Sequence, residues 1–147
     1  MSEYSYESLG GKTVNEGTKP TDKQLRQAER IYVAGPYCPK DCTIHDASRI
    51  AQHNTDKAIE VTNALIEKGH FVFTPHLSHY VHIHYSCKRD YGYWWYDEDM
   101  TFLKHWATAL FFIAPSNGAN AELAYAKKLG LKIYYKLDDV PTIWGRI

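Results

Sequence analysis

Short apolar runs alternate with longer amphipathic stretches from residue 31 onward. IYVAG (31–35), HFVFTP (70–75), ALFFIAP (109–115) and LKIYY (131–135) predict buried strands, because short apolar runs that end at Gly, Pro or polar residues are typical of them. NTDKAIEVTNALIEKG (54–69), WWYDEDMTFLKHW (94–106) and NAELAYAKKLG (120–130) predict helices. Asn54 or Thr55 can cap the first of these helices, and Gly69 and Gly130 stand where two of them should end.

This alternation of strands and helices predicts an α/β fold. We expect a single domain with a parallel, Rossmann-like (flavodoxin-like) sheet and helices on both faces. Sheets of this kind bind ligands beyond the carboxyl ends of their strands. Three predicted loops meet at that edge, namely residues 35–53, 75–93 and 115–121. The candidate site should therefore be built from these loops and from the helix starts beside them.

Residues 1–29 have a different character. They are polar, with few large apolar side chains and with Gly10, Gly11, Gly17 and Pro20. This composition predicts a flexible N-terminal tail with a short helical piece over Lys23–Arg30. The folded domain is then expected to span residues 30–147.

Composition narrows the possible partners. The chain has 147 residues and no formal net charge, so no basic surplus points to a nucleic-acid polymer. The chain has three cysteines, Cys38, Cys42 and Cys87, and this odd number does not indicate a disulfide framework. No apolar leader and no run long enough to cross a bilayer is present, so we expect a cytoplasmic protein without a membrane partner.

Two groups of carboxylates fall near the predicted ligand edge. Glu122 is expected in the first turn of the helix after the third strand, where it either stabilises the helix start or attacks a sugar carbon as a nucleophile. The second group is Asp97, Glu98 and Asp99. These residues either form a solvated turn at a helix start, or one of them is the second acid, which protonates the leaving group. The flanking Trp-Trp-Tyr favours a pocket wall or lid over full exposure.

The order of these segments resembles the nucleoside 2-deoxyribosyltransferase family. IYVAGP, GHFVFTPH, YDEDM and SNGANAELAYAKKLG carry the resemblance, which runs from Ile31 to the C-terminus. It implies an enzyme that cleaves the N-glycosidic bond of a small-molecule nucleoside or nucleotide, with no cofactor. Whether the sugar passes to water or to a second base stays open.

The resemblance also implies roles for individual residues. The family's nucleophilic Glu falls on Glu122 and its acid beside the base falls on Asp99, with Asp97 as the second choice. Its sugar-site tyrosine falls on Tyr32. The loop that starts at Gly35 and Pro36 would cover the substrate. His76 is expected from its place in the chain, at the end of the second strand, under the lid or against the base.

One departure from the family concerns the residue six positions before the nucleophile. The transferases often have Asp there, whereas this chain has Ser116. A serine here resembles the branch of 2′-deoxynucleoside 5′-phosphate N-hydrolases and CMP hydrolases. The chemistry agrees, because a hydroxyl and free backbone N–H groups can bind a phosphate, whereas a carboxylate would repel it. Asn117 and Gly118 would extend such a cradle. Alternatively, Ser116 only shapes the turn.

Two further expectations concern subunits and metals. The family completes the 5′ end of its site with a residue from a second subunit, which implies a homodimer or larger and places Thr142 in that role. His76, His79, His82, His84 and Cys87 allow a weaker hypothesis of a metal site, although their spacing does not match usual zinc motifs. We therefore expect no metal. A non-catalytic nucleotide-binding module and a metal-dependent hydrolase remain the alternatives.

Overall fold

The computed structural model describes residues 19–38, 44–84 and 91–144, without the side chains of residues 44, 45, 82 and 91–95. Its strands are β1 (Arg30–Ala34), β2 (Phe71–Phe73), β3 (Ala109–Phe112) and β4 (Lys132–Tyr134). All neighbouring strands pair in parallel, in the order β2-β1-β3-β4. The order reverses between β1 and β3, as in flavodoxin-like folds. The predicted α/β fold with a parallel sheet is confirmed.

Helices cover both faces of this sheet. They are α1 (Asp22–Gln27), α2 (Ile44–Glu67), α3 (Ser78–His84), α4 (Tyr91–His105) and α5 (Asn117–Lys128). Short 3₁₀ turns add Pro75–Leu77 and Leu137–Asp139. Within the described ranges, no helix is both long enough and apolar enough to cross a membrane.

Alternate side chains of the central strands pack into two separate hydrophobic cores, one on each face of the sheet. Ile31 and Val33 of β1 point to the face that α2 covers, where they pack with Ala58, Val61 and Leu65. Tyr32 and Ala34 point to the other face, which α4 and α5 cover through Leu103, Ala119 and Ala126. This alternation follows from the two-residue period of a strand, and it decides which helix each β1 side chain can meet.

The structure corrects several predicted boundaries. Helix α2 begins ten residues before Asn54, because residues 44–53 hold no Gly or Pro and bury Ala51. Asn54 and Thr55 therefore lie inside the helix and do not cap it. The segment 75–93, predicted as a loop, contains a 3₁₀ turn, α3 and the start of α4. The acidic run 97–99 consequently lies in the middle of α4 and not in a turn.

The predicted tail contains one described helix. Helix α1 occupies Asp22–Gln27 and begins with a capping box between Thr21 and Gln24. Residues 1–18 lie outside the described part of the chain, so the flexible tail remains a prediction. The helical piece predicted over Lys23–Arg30 ends earlier than expected, because Arg30 is the first residue of β1. The domain bounds remain a prediction.

Glu29 ties the amino ends of the strands together. Its carboxylate accepts a 2.7 Å hydrogen bond from the Thr108 hydroxyl and a 3.0 Å bond from Lys132 Nζ, while its backbone N–H donates to His70 Nδ1 at 2.9 Å. Burial opposes ionisation of Glu29, but the bonds from Thr108 and Lys132 outweigh it and hold its pKa below the ordinary value. The edge opposite the ligand edge is thus held by an ionised glutamate.

We expect Glu29→Gln to lower the melting temperature at pH 7 by roughly 3–5 °C, about 1 kcal/mol, because two charge-assisted hydrogen bonds are lost. The pKa of Glu29 is lower in the folded chain than its ordinary value of 4.5, so its stabilisation is complete above that value and disappears as the pH falls through the folded-state pKa. Thermal unfolding followed by circular dichroism between pH 7 and pH 3 measures the effect.

The matched control is Glu60→Gln. Glu60 is an exposed carboxylate 3.6 Å from Lys57, and exposed pairs contribute little. Its loss should hardly change the melting temperature at any pH. A difference between wild type and Glu29→Gln that stayed constant down to pH 3 would contradict the role of the Glu29 charge.

Candidate active site

The loops after β1 and β3 meet at the carboxyl edge of the sheet, where the strand order reverses. Gly35 follows β1, and a Cβ built on it would lie 3.1 Å from the Cβ of Ile113, which follows β3. Few real side-chain contacts are that short, so a residue other than glycine would push these two loops apart. The absence of a side chain at position 35 lets the loops close over the switch point of the sheet.

Glu122 lies in the second turn of α5. The helix begins at Asn117, and its cap is Ser116, whose Oγ accepts a 3.0 Å hydrogen bond from the Ala119 N–H. The expected place of Glu122 in the first turn is therefore wrong, and helix-start stabilisation no longer explains it. Glu122 is three residues after Ala119 and four before Ala126, and both alanines are fully buried. A carboxylate thus occupies the helix face that packs on the sheet.

Tyr32 is the direct partner of Glu122. Its side chain is fully buried on the α5 face of β1, and its hydroxyl donates a hydrogen bond to Glu122 Oε2. Burial, followed by the negative charges of Glu122 and Asp99, raises the pKa of Tyr32. The phenol consequently keeps its proton and remains a donor. It holds one carboxylate oxygen of Glu122 and leaves the other available for chemistry.

Asp99 brings a second carboxyl group to Glu122. It lies one helical turn before the fully buried Leu103 on α4, so it faces the sheet and α5. Burial, helped by the charge of Glu98, raises the pKa of Asp99 from 3.8 to about 7. Burial also raises the pKa of Glu122 from 4.5 to about 7; the Tyr32 hydrogen bond lowers it, and the Asp99 charge raises it. At neutral pH the pair can hold one proton between them.

Such a pair supports two different chemical roles at one site. An ionised carboxylate can attack an electrophilic carbon, and a protonated one beside it can give its proton to a leaving group. Groups whose environments shift their pKa values toward neutrality are typical of acid–base sites. Tyr32, Asp99 and Glu122 come from three different elements, and the structure brings all three together.

An aromatic wall adjoins these residues, and the sequence did not single it out. Phe73 at the end of β2 contacts Tyr32 with ring centroids 5.7 Å apart, and it stacks on Phe102 of α4 at 3.9 Å. Trp106 meets both phenylalanines edge-on. Phe102 lies three residues after Asp99, so the wall continues from the second carboxyl group. Its signal in the sequence was only the common one of apolar residues on a helix face.

The residues predicted to hold a phosphate stand at the start of α5. Ser116 Oγ is used as a helix cap, which is the turn-shaping role, and its O–H remains able to donate. Asn117 and Gly118 are both exposed. A Cβ on Gly118 would meet nothing within 4 Å, so packing does not require glycine there. This helix start is open to an approaching group.

Two histidines after β2, His76 and His79, form hydrogen bonds with the loop after β1. His76 is 6% exposed and its Nε2 donates to the Pro36 carbonyl at 2.9 Å, while burial lowers its pKa. His79 is bonded through both ring nitrogens. Cys42, Cys87 and the side chain of His82 lie outside the described part, and the described residues contain no group of three or more metal-binding side chains. His82 and His84, which the sequence would allow on one face of a strand, belong instead to α3.

Two predicted site residues are not brought to Glu122. The Asp97 side chain is exposed, and its carbonyl accepts a 2.7 Å hydrogen bond from Thr101. Thr142 is exposed and follows Pro141, whose carbonyl accepts a 2.7 Å bond from His70 Nε2. Since His70 precedes β2, Thr142 lies at the amino edge of the sheet, opposite Glu122. The side chains of Trp94 and Trp95, predicted as a wall or lid, are outside the described ones.

Comparison with known proteins finds likenesses of fold among solved structures. The solved structure of a 2-deoxyribosyltransferase from the psychrotolerant bacterium Bacillus psychrosaccharolyticus is similar to this chain at 20% sequence identity and a TM-score of 0.49. The match covers 71% of this chain and 69% of that one. No family model and no curated protein matches the sequence. A likeness of this degree concerns the fold and says nothing of the chemistry at Glu122.

The pKa of Glu122 should respond in opposite directions to its two neighbours. Tyr32→Phe removes a hydrogen bond to the ionised form, so the pKa of Glu122 should rise by about one pH unit above its value near 7. Asp99→Asn removes a negative charge, so that pKa should fall. Carbon-13 NMR of the glutamate carboxyl groups, assigned through Glu122→Gln, measures both. Tyr125→Phe, on the same helix, is the control. Shifts in the same direction for both variants would contradict the described geometry.

Proposed function

We propose that this protein is an enzyme of the nucleoside 2-deoxyribosyltransferase type. It cleaves the N-glycosidic bond of a (deoxy)nucleoside or, as Ser116 favours, of its 5′-monophosphate. The observation that carries the proposal is the buried contact of the Tyr32 hydroxyl with Glu122 beside Asp99. A binding module needs no carboxylate of raised pKa on a sheet-facing helix position, because burying it is costly without a chemical use.

The first step forms a covalent glycosyl-enzyme. The free carboxylate oxygen of Glu122 attacks C1′ of the sugar, and the C1′–N bond breaks. The bonding pair goes to the base nitrogen, which takes a proton from Asp99. Tyr32 keeps the attacking carboxylate oriented through its bond to Oε2. Both acids start this step in the required state when the pair holds one proton.

The second step returns the enzyme. Asp99, now ionised, takes a proton from a water molecule or from an incoming base, and that nucleophile attacks C1′. The ester bond to Glu122 breaks, and its electron pair restores the carboxylate. Two displacements at the same carbon retain the configuration. The mechanism uses no cofactor. Whether the product is a free sugar or a new nucleoside depends only on which nucleophile reaches C1′.

The 5′ end of the substrate is assigned to the start of α5. A phosphate there would receive the Ser116 O–H and the first free backbone N–H groups of a twelve-residue helix, and the helix dipole would favour its charge. Asn117 and Gly118 are exposed beside it. Gly35 and Pro36 would cover the sugar or base from the opposite loop. Asp97 would join the site only if α4 or the residues before it rearranged on binding.

The proposal also includes a second subunit. Thr142 lies at the amino edge of the sheet, so it cannot meet Glu122 of its own chain without a large rearrangement. A partner copy would have to bring its Thr142 to this site, which gives a homodimer or a larger homo-oligomer.

The test of the function is a product assay by chromatography. We expect the purified protein to release free base from at least one member of a panel of ribo- and deoxyribonucleosides and their 5′-monophosphates. Release without an added base indicates a hydrolase. A new nucleoside that forms only when a second base is present indicates a transferase. If no member of the panel is turned over, the proposed function is wrong.

Glu122→Gln should reduce turnover by about a thousandfold or more while substrate still binds, because the amide keeps the shape and cannot attack C1′. Steady-state kinetics and calorimetric binding to the best substrate of the panel measure the two quantities. Glu67→Gln, at the exposed end of α2, is the control and should leave both unchanged. Full activity of Glu122→Gln would contradict the mechanism.

Ser116→Asp should shift the preference from the 5′-monophosphate to the free nucleoside by about tenfold or more, because it places a like charge beside the phosphate. Aspartate is as good a helix cap as serine, so the start of α5 should persist. Ser116→Asn caps the helix without a charge and is the matched control. The ratio of kcat/KM for the two substrates is the measurement. An equal ratio in all three proteins would remove the phosphate from this position.

A further inference from the structure

Three side chains form hydrogen bonds with the two residues after Gly35. The Pro36 carbonyl accepts a 2.9 Å hydrogen bond from His76 Nε2, and the Tyr37 carbonyl accepts a 2.8 Å bond from Asn54 Nδ2. The Tyr37 hydroxyl bonds to His79 Nδ1 at 2.7 Å. We call Asn54, His76 and His79 the loop clamp. Loops commonly leave such groups to water, yet this clamp uses two histidines that are 6% and 3% exposed.

The hydrogen bonds around His79 determine the direction of its contact with Tyr37. Gln52 Nε2 donates to Asp56 Oδ1 at 2.9 Å, so the Gln52 carbonyl oxygen is the atom that faces His79 Nε2 at 3.1 Å. In the neutral ring, Nε2 therefore carries the proton and Nδ1 accepts. The Tyr37 hydroxyl is then the donor. A chain of bonds leads from Asp56 on α2 through Gln52 and His79 to the loop.

The clamp also fixes the loop by ring contacts. Tyr37 meets His76 and His79 edge-on, with centroids 6.2 Å and 5.6 Å apart. The held segment borders a cleft of about 520 Å³ between α2 and the loops after β1 and β3, lined by Pro36, Asn54, Ile113 and Ala114 among others. Glu122 and Asp99 do not line this cleft, so the loop after β1 lies between it and the carboxyl pair. A rigid wall beside a cleft at the switch point of the sheet is where a ligand would benefit from a loop that is already in place.

We infer that His79 is a positioning residue for substrate binding, which acts by holding Tyr37 and thereby the Gly35–Cys38 segment in the form that receives the nucleoside. This inference rests on the proposed function and deepens it. His79 takes no part in bond breaking, and its effect is confined to the population of loops that are ready to bind. When that population falls, the apparent affinity falls in proportion, and the chemical step at Glu122 is unchanged.

The test is a double-mutant cycle on the bond between Tyr37 and His79, with the best substrate of the product assay. Tyr37→Phe removes the donor and keeps the ring. His79→Gln places its amide at the position of Nε2, so it keeps a donor toward Gln52 and leaves no acceptor at the position of Nδ1. Each single variant should raise KM about fivefold, as expected for one hydrogen bond, and change kcat less than twofold. The double variant should also raise KM about fivefold, and not about twenty-five-fold, because both changes remove the same bond.

The control is Tyr80→Phe. It removes a neighbouring hydroxyl that accepts a 3.3 Å bond from Gln52 Nε2 and makes no described hydrogen bond to residues 35–38, so the KM of this variant should equal that of the wild type. A second check is His79→Asn, whose amide oxygen can replace Nδ1 and should restore most of the wild-type KM.

The outcomes separate this inference from the function on which it rests. Raised and non-additive KM values with unchanged kcat support it. Unchanged KM, multiplied effects in the double variant, or a fall in kcat alone would overturn the positioning role while the proposed function stands. A wild-type protein that releases no base from any substrate overturns the proposed function, and the positioning role falls with it.

Discussion

The candidate site depends on the burial of one carboxylate against one tyrosine hydroxyl. A carboxyl group on the sheet-facing side of α5 loses most of its hydration, and this raises its pKa to about 7. The hydroxyl of Tyr32, fully buried in the next layer, returns one strong hydrogen bond to it. The phenol can act this way because the same burial, together with the negative charges beside it, keeps its own proton in place. Asp99 lies beside this buried carboxylate, and its own pKa is also raised to about 7. Near neutral pH the two carboxyl groups can therefore share one proton.

The pKa of a glutamate is shifted in opposite directions at the two edges of the sheet. At the amino edge Glu29 is met by a hydroxyl and by Lys132, so its pKa falls and its charge joins neighbouring strands. At the carboxyl edge Glu122 is much more deeply buried, and this burial is the main reason why its pKa rises; no cation is among its described contacts, and the charge of Asp99 adds to the rise. Burial opposes the charge at both sites, but it is shallower at Glu29, where the bonds from Thr108 and Lys132 outweigh it, and deeper at Glu122, where one hydrogen bond from Tyr32 does not. One edge therefore serves stability, and the other keeps groups that exchange protons near neutral pH.

The loop after β1 was predicted to cover the ligand, and the histidines after β2 were predicted to stack on a base, pack under a lid or bind a metal. In the structure the described histidines His76 and His79 hold that loop by hydrogen bonds. Spacing along the chain could not distinguish these roles, because the local sequence around a buried histidine that donates to a carbonyl can be the same as around one that binds a metal. The contact that separates them joins residues about forty positions apart, Pro36 with His76 and Tyr37 with His79.

The sequence by itself determined the parallel α/β fold and the edge at which a ligand should bind, because strand and helix periods are local properties that a run of side chains carries with it. It also indicated Asp99 and Glu122, through acidic positions near that edge and the resemblance that joined them, and Tyr32 through the resemblance alone. Only the tertiary structure decided that Glu122 is not a helix-start charge, since the start of α5 depends on the Ser116 cap and its inward face on the packing of Ala119 and Ala126. It alone aligned the Phe73–Phe102 wall with the carboxyl pair and placed Thr142 at the far edge. These features are distances between segments that are remote in sequence, and such distances are set by packing and not by any local pattern.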